Sequence, residues 1–261
     1  MILVHDIPSA YNGRPIRVRA TFAEPKTANE KTGAMIQTYI APAFDHPQET
    51  IKQGDDGAQC GACPLSPTAK GKVSHDGGQT GGGCYVRTDT IGHTLSDKDN
   101  SRVVLKALDK GYGLRLGSYG DPAMVDPSVW KLLLDKASFH TGYTHQWKNE
   151  FAQKYKGLLM ASVNSPTEFL EAKALGWKVF ATWQGICAEH VQVLGLTIQC
   201  PSDPTLPVIR QCSACRLCNG KRADIWIKPH GSRKKYLPTY TLEDCKLALH
   251  ALIQKKVPAL L

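Results

Sequence analysis

A chain of 261 residues with 42% apolar content is long enough to bury one substantial α/β core, and a formal charge of +9 favours acidic partners such as nucleic acid. No stretch reaches the apolar length of a membrane span, which excludes a helical membrane protein as the expectation. The opening MILVHDIPSA has no basic segment followed by an apolar run, and the nine cysteines are odd in number, so reduced thiols in the cytoplasm are expected rather than disulfides.

In chain order, residues 42–100 are rich in Gly, Asp, Thr and Pro and lack hydrophobic periodicity. So long a loop in a compact protein needs an organising agent, and bound metal is one. From Ser101 the pattern alternates. SRVVLKALDK predicts a helix with Ser101 as N-cap and Gly111 past its end, and GLRLGSYGD a buried strand. Asp126-Pro127 opens a second helix, FHTGYTHQW is the next strand, and a short helix runs from Glu150 to Tyr155. LLMASVNS is a third strand, Ser165-Pro166 opens a helix that Gly176 closes, and WKVFATW is a fourth strand. Strands alternating with helices imply a parallel sheet with right-handed crossovers, too short for a closed eight-stranded barrel. The expected fold class is α/β, a partial (β/α) barrel of TIM-barrel type or an open parallel sheet, with cysteine-rich metal-binding loops. Its divisions are an N-terminal segment with the metal-binding loop over 1–100, the α/β core over 101–185, and a cluster-binding segment over 186–261 that adds a strand at ADIWIKP and a helix from Leu242 to Lys255.

Seven cysteines fall into two groups, Cys60, Cys63 and Cys84, and then Cys200, Cys212, Cys215 and Cys218. The second reads Cys-Pro followed at a distance by C-x-x-C-x-x-C, the ligation pattern of a 4Fe–4S cluster; separated pairs would be more typical of zinc, which remains the alternative. The first group has three members. Either a fourth ligand comes from His75, His145 or Cys187, or one coordination position stays open for a small molecule, as in enzymes that cleave S-adenosylmethionine. One or two clusters are therefore expected, while Cys187 and Cys245 read as ordinary buried thiols.

In parallel α/β proteins ligands gather at the carboxyl ends of the strands. The residues there make Asp121, His145 and Asn164 the candidate catalytic groups and Arg115, Ser118 and Tyr143 the candidate cofactor contacts. Asp121 also suits a turn or cap, Asn164 and Ser165 suit a helix start, and Arg115 alternates with apolar neighbours, so it faces one side of the sheet. Lys221, Arg222, Lys228, Arg233, Lys234 and Lys235 follow the second cysteine group as a candidate basic patch or a plain solvated loop.

The set C-G-A-C-P, G-G-G-C-Y, R-L-G-S-Y-G-D-P-A, T-G-Y-T-H-Q-W, A-S-V-N-S-P and the terminal C-x-x-C-x-x-C-x-G resembles a bacteriophage and prophage protein family of unassigned activity, over about residues 30–235. More distantly, a cysteine loop followed by strand-Gly-Asp-Pro, strand-Thr-His and strand-Ser-Val-Asn resembles phage-encoded radical S-adenosylmethionine proteins with partial barrels, although the C-x-x-x-C-x-x-C signature of that superfamily is absent. The resemblance implies an iron–sulfur enzyme acting on a nucleotide or nucleic acid. The alternative is a nucleic-acid-binding protein shaped by metal without catalysis, and a pure electron carrier leaves the strand-end polarity unexplained.

Overall fold

The computed structural model describes residues 1–69, 72, 73, 79, 80, 82–84, 86, 91, 99–195 and 198–256. The chain opens with β1 (Ile2–Pro8), β2 (Pro15–Phe22) and β3 (Met35–Pro42), followed by α1 (Pro47–Lys52), α2 (Gly57–Cys60) and the short pair β4 (Lys72–Val73) and β5 (Gln79–Thr80). Then come α3 (Ser101–Asp109), β6 (Gly113–Tyr119), α4 (Pro127–Leu134), β7 (His140–Thr144), β8 (Met160–Val163), α5 (Pro166–Ala174) and β9 (Val179–Ala181). The last part holds α6 (Ala188–Val193), β10 (Ile198–Gln199), α7 (Cys212–Cys215), β11 (Ile225–Trp226) and α8 (Leu242–Lys256).

Among the described residues, nine strands form one sheet in the order β1-β2-β3-β6-β7-β8-β9-β11-β10. From β3 onward every neighbouring pair is parallel, whereas β1, β2 and β3 pair antiparallel. The end strands do not meet, so this is an open, mostly parallel α/β sheet, and strands from all three segments of the chain share it. The antiparallel extension adds an element that helix–strand alternation does not foretell.

Local signals place the helices. Asp126 accepts from Ser128 N and caps α4, and Ser165 accepts from Glu168 N and caps α5, each with proline at the first turn. One cap is shifted from expectation: Ser101 lies inside α3, and Asn100 occupies the cap position. The reason is Asp99, whose Oδ1 accepts from Ser101 N at 2.8 Å and from its hydroxyl at 2.6 Å, so the serine side chain points back to the aspartate. At α4 the Asp126 carboxylate, held first by Lys154 at 2.8 Å, titrates at about 2. A carboxyl lowered in the folded state stabilises above its unfolded value, near pH 4, and loses that contribution as pH falls towards about 2. The stability gap between wild type and Asp126→Ala, followed by urea unfolding, is therefore expected to narrow over that window; a gap constant with pH would leave the ion pair without effect.

Register separates two faces of the sheet. Ala161 pairs with Val179 and Thr144 with Ala161, and these residues look towards the helices. Their core joins Val104 and Leu108 of α3, Trp130 and Leu133 of α4, and Phe169 of α5 with Trp147, Trp177 and Trp183. Burial of such side chains stabilises by about 1.5–3 kcal/mol each. The other face carries Tyr143 opposite Met160, and Phe180, Ile225 and Ile198 in register, and it is covered not by helices but by Cys200, Cys218 and Leu217.

Candidate metal and catalytic site

The carboxyl ends of β6, β7 and β8 meet the first cysteine group. Gly120 N-terminal to Asp121 has φ +73°, and a Cβ there would lie 2.4 Å from Ile40 O and 3.0 Å from Gln59 O, so only glycine lets β3, α2 and the end of β6 approach so closely. Asp121 N then donates to Gln59 O at 2.7 Å, which ties the cysteine-bearing turn to the strand end. A second clamp is Gln146: its Oε1 accepts from Ala62 N at 3.1 Å and its Nε2 donates to Cys60 O at 3.0 Å. Gly61, at φ +58°, leaves the room, since a Cβ would come within 2.4 Å of that amide.

The loop is closed from below by Asp56, a buried carboxylate that accepts from the hydroxyls of Ser66 and Thr68. Cys84 N donates to Leu65 O at 2.8 Å, bringing the third cysteine beside the first two. Cys63 Sγ lies 3.5 Å from His145 Nδ1. His145 N donates to Asp121 Oδ2 at 2.8 Å, and Asp121 Oδ1 accepts from Ala123 N at 3.0 Å. Asn164 N donates to Glu168 Oε2 at 2.8 Å and Asn164 Nδ2 to Thr182 O at 3.1 Å. His145 Nε2 and Asn164 Oδ1 are buried without a well-formed bond, yet Asn164 lies near enough to favour the charged imidazole.

Of the catalytic candidates, Asp121, His145 and Asn164 thus come together around Cys63. Asp121 is spent on two backbone N–H groups and acts as turn and cap, a positioning residue. Burial pushes its carboxyl up and the His145 imidazole down, so both are held towards their neutral forms. The cofactor candidates lie elsewhere. Tyr143 faces the helix-free side, with its ring 4.6 Å from Phe180 and its hydroxyl near enough to the Cys218 sulfur to favour the thiolate. Arg115 shares that face near Tyr143, Tyr39 and Lys31, and the Ser118 hydroxyl bonds Gln37 Oε1. Sequence reasoning missed Gln146, Asp56 and Gln59; Gln146 stood in the same strand-end run as His145, whereas nothing local marks the other two.

The second group surrounds the far side of the sheet. Cys200 and Cys218 are buried, Cys212 and Cys215 are half-buried on α7, and Arg216 turns the chain at φ +58°. Cys200 N donates to Trp226 O at 2.7 Å, and Cys218 O accepts from Gly142 N at 3.1 Å, which fixes both to the strands. The first group is half-buried throughout. Of the ligands offered to complete it, His145 is adjacent, Cys187 sits instead beside Cys245, and His75 lies outside the described residues.

Burial pushes the Cys63 thiol up to about 12 and those of Cys84 and Cys200 up to about 11, and neighbouring cysteines push Cys60, Cys84, Cys200, Cys215 and Cys218 further in the same direction. Against this, the backbone N–H groups of Leu65, Val86, Ser202 and Leu217, two residues on, lie near enough to favour the charged sulfur of Cys63, Cys84, Cys200 and Cys215. Donors aimed at sulfur favour thiolate, and crowded thiolates need a cation. The donor set therefore suits a thiophilic metal, although among the described residues no three His, Cys, Asp or Glu side chains stand as a ready ligand set. No family model matches the chain, and no curated protein or solved structure matches it.

Proposed function

We propose that the protein is an iron–sulfur enzyme of the cytoplasm, with a partial-barrel sheet, an open centre on Cys60, Cys63 and Cys84, and a closed centre on Cys200, Cys212, Cys215 and Cys218. The observation that carries this reading is the gathering of the cysteines of each group close enough to raise one another's thiols, with His145 Nδ1 3.5 Å from Cys63 Sγ and backbone N–H groups near four of the sulfurs favouring their charged form. A second support is the difference in setting: the three-cysteine group is half-buried beside polar strand ends, while two of the other four are enclosed among Met160, Ile225 and Ile227.

When bound, a three-cysteine cluster supplies one exchangeable coordination position and one-electron chemistry, the use to which S-adenosylmethionine enzymes put it. The chain's own residues do the rest. Gln146 and Asp56 hold the cysteine loop in place, Asp121 fixes the backbone of His145, and His145 holds a proton site beside Cys63 with Asn164 at its other nitrogen.

Anaerobic purification with iron, sulfide and zinc analysis, followed by electron paramagnetic resonance with and without S-adenosylmethionine, tests the reading. Iron and sulfide with a spectrum altered by S-adenosylmethionine are expected; a colourless, folded protein carrying only zinc removes catalysis. Cys215→Ser is expected to lower iron content and solubility together, and full iron in that variant would refute its role as ligand.

A further inference from the structure

The 3-10 turn Ser232–Tyr236 rises from the carboxyl end of β11 and lies against the loop of the first cysteine group. Arg233 Nη1 donates to Gly82 O at 3.4 Å, and its charge favours the Cys84 thiolate. The Tyr236 ring is 3.8 Å from where a Gly82 Cβ would stand, and Leu237 is buried next to Gly83. The turn is thus anchored at one end and presents Arg233, Lys234, Lys235 and Tyr236 to solvent, with Tyr236 41% exposed. Lys235 Nζ sits 5.2 Å from the centre of that ring.

Lys52, Lys131, Lys148, Lys154, Lys173 and Lys246 each pair with a carboxylate, whereas among the described residues none does so with Arg233, Lys234 or Lys235. Between Asn219 and Tyr240 the sequence has one acidic residue, Asp224, and Lys173 at 2.6 Å already occupies it. A cationic run with no carboxylate partner among the described residues, beside an exposed aromatic ring, is the pairing that tracks a phosphate backbone while stacking unpaired bases. A duplex hides its base faces and leaves such a ring unused.

We propose that Arg233, Lys234, Lys235 and Tyr236 form a docking surface for single-stranded nucleic acid at the rim of the three-cysteine site, with phosphates on the basic side chains and a base on Tyr236. This deepens the enzymatic reading above by naming the substrate class, and it rests on that reading only for its meaning, not for the binding itself.

Fluorescence anisotropy of a short labelled oligothymidylate with the full chain provides the test. Lys234→Ala/Lys235→Ala is expected to weaken binding roughly tenfold at about 0.1 M salt and to reduce the slope of log affinity against log salt by about 1–2. Tyr236→Ala is expected to weaken it about fivefold or more with the slope unchanged. The control is Lys106→Ala/Lys136→Ala on the helix-covered side, where little change is expected. Equal loss in that control, an inert Tyr236→Ala, or equally tight binding of inorganic polyphosphate would overturn the proposal. Iron analysis of the same samples separates the two readings: an iron-free protein that binds through this turn removes the enzyme and keeps the surface, and an iron-loaded protein indifferent to the oligomer does the reverse.

Discussion

Gly120→Ala is expected to destabilise the protein by about 3–5 kcal/mol. Its left-handed backbone, at φ +73°, costs a residue with a side chain about 1–2 kcal/mol wherever it occurs. The remainder comes from contact, because the new methyl would meet Ile40 O at 2.4 Å and Gln59 O at 3.0 Å, and both are backbone atoms that cannot rotate away. Relief requires β3, α2 or the end of β6 to move, so the Cys60 turn should loosen with the fold. Gly111→Ala isolates the conformational part, since φ is +74° there and nothing lies within 4 Å. A loss of only about 1–2 kcal/mol is expected at Gly111. Comparable urea midpoints for the two variants would contradict the close approach at Gly120.

Asp121→Ala is the second substitution with a large expected effect. It strands the N–H groups of Ala123 and His145, both now bonded to the carboxylate at 3.0 and 2.8 Å. Each unsatisfied buried donor costs about 1–3 kcal/mol, so a total of roughly 2–6 kcal/mol is expected. Asp121→Asn keeps one oxygen acceptor and should lose about half as much. Because the carboxylate holds His145 beside Cys63, the alanine variant should also expose the first cysteine group to alkylation faster than the asparagine variant does. Unchanged stability and unchanged thiol reactivity would remove Asp121 as the residue that positions this corner.

Much of the α/β core is legible because its signals are local. Asp126-Pro127 and Ser165-Pro166 start α4 and α5 through bonds spanning two or three residues, and Gly111 and Gly176 follow the ends of α3 and α5 with positive φ. The strand-end rule carried Asp121, His145 and Asn164 to one corner. Other features depend on distant partners. β1 alternates poorly, with both faces partly exposed, and is held by β2 rather than by its own pattern. Gln59 and Asp56 matter through contacts with Tyr119, Thr50, Ser66 and Thr68, which no spacing announces. Tyr143 shows a missed local signal. Period-two alternation sets it on the face opposite Thr144, where it packs in the cluster with Cys218, while His145 reaches the other corner because β7 ends at Thr144.

The order in which the sheet is laid down has a cost during translation. β11 lies between β9 and β10, although β10 leaves the ribosome first. A nascent chain that has reached Asp203 therefore carries a strand with no neighbour to bond, while β9 ends in an unsealed border. Roughly twenty further residues must emerge before Ile225 and Trp226 can slot between them, a delay of about one to four seconds at ordinary elongation rates. Chaperone engagement of the unfinished polypeptide should peak in that interval.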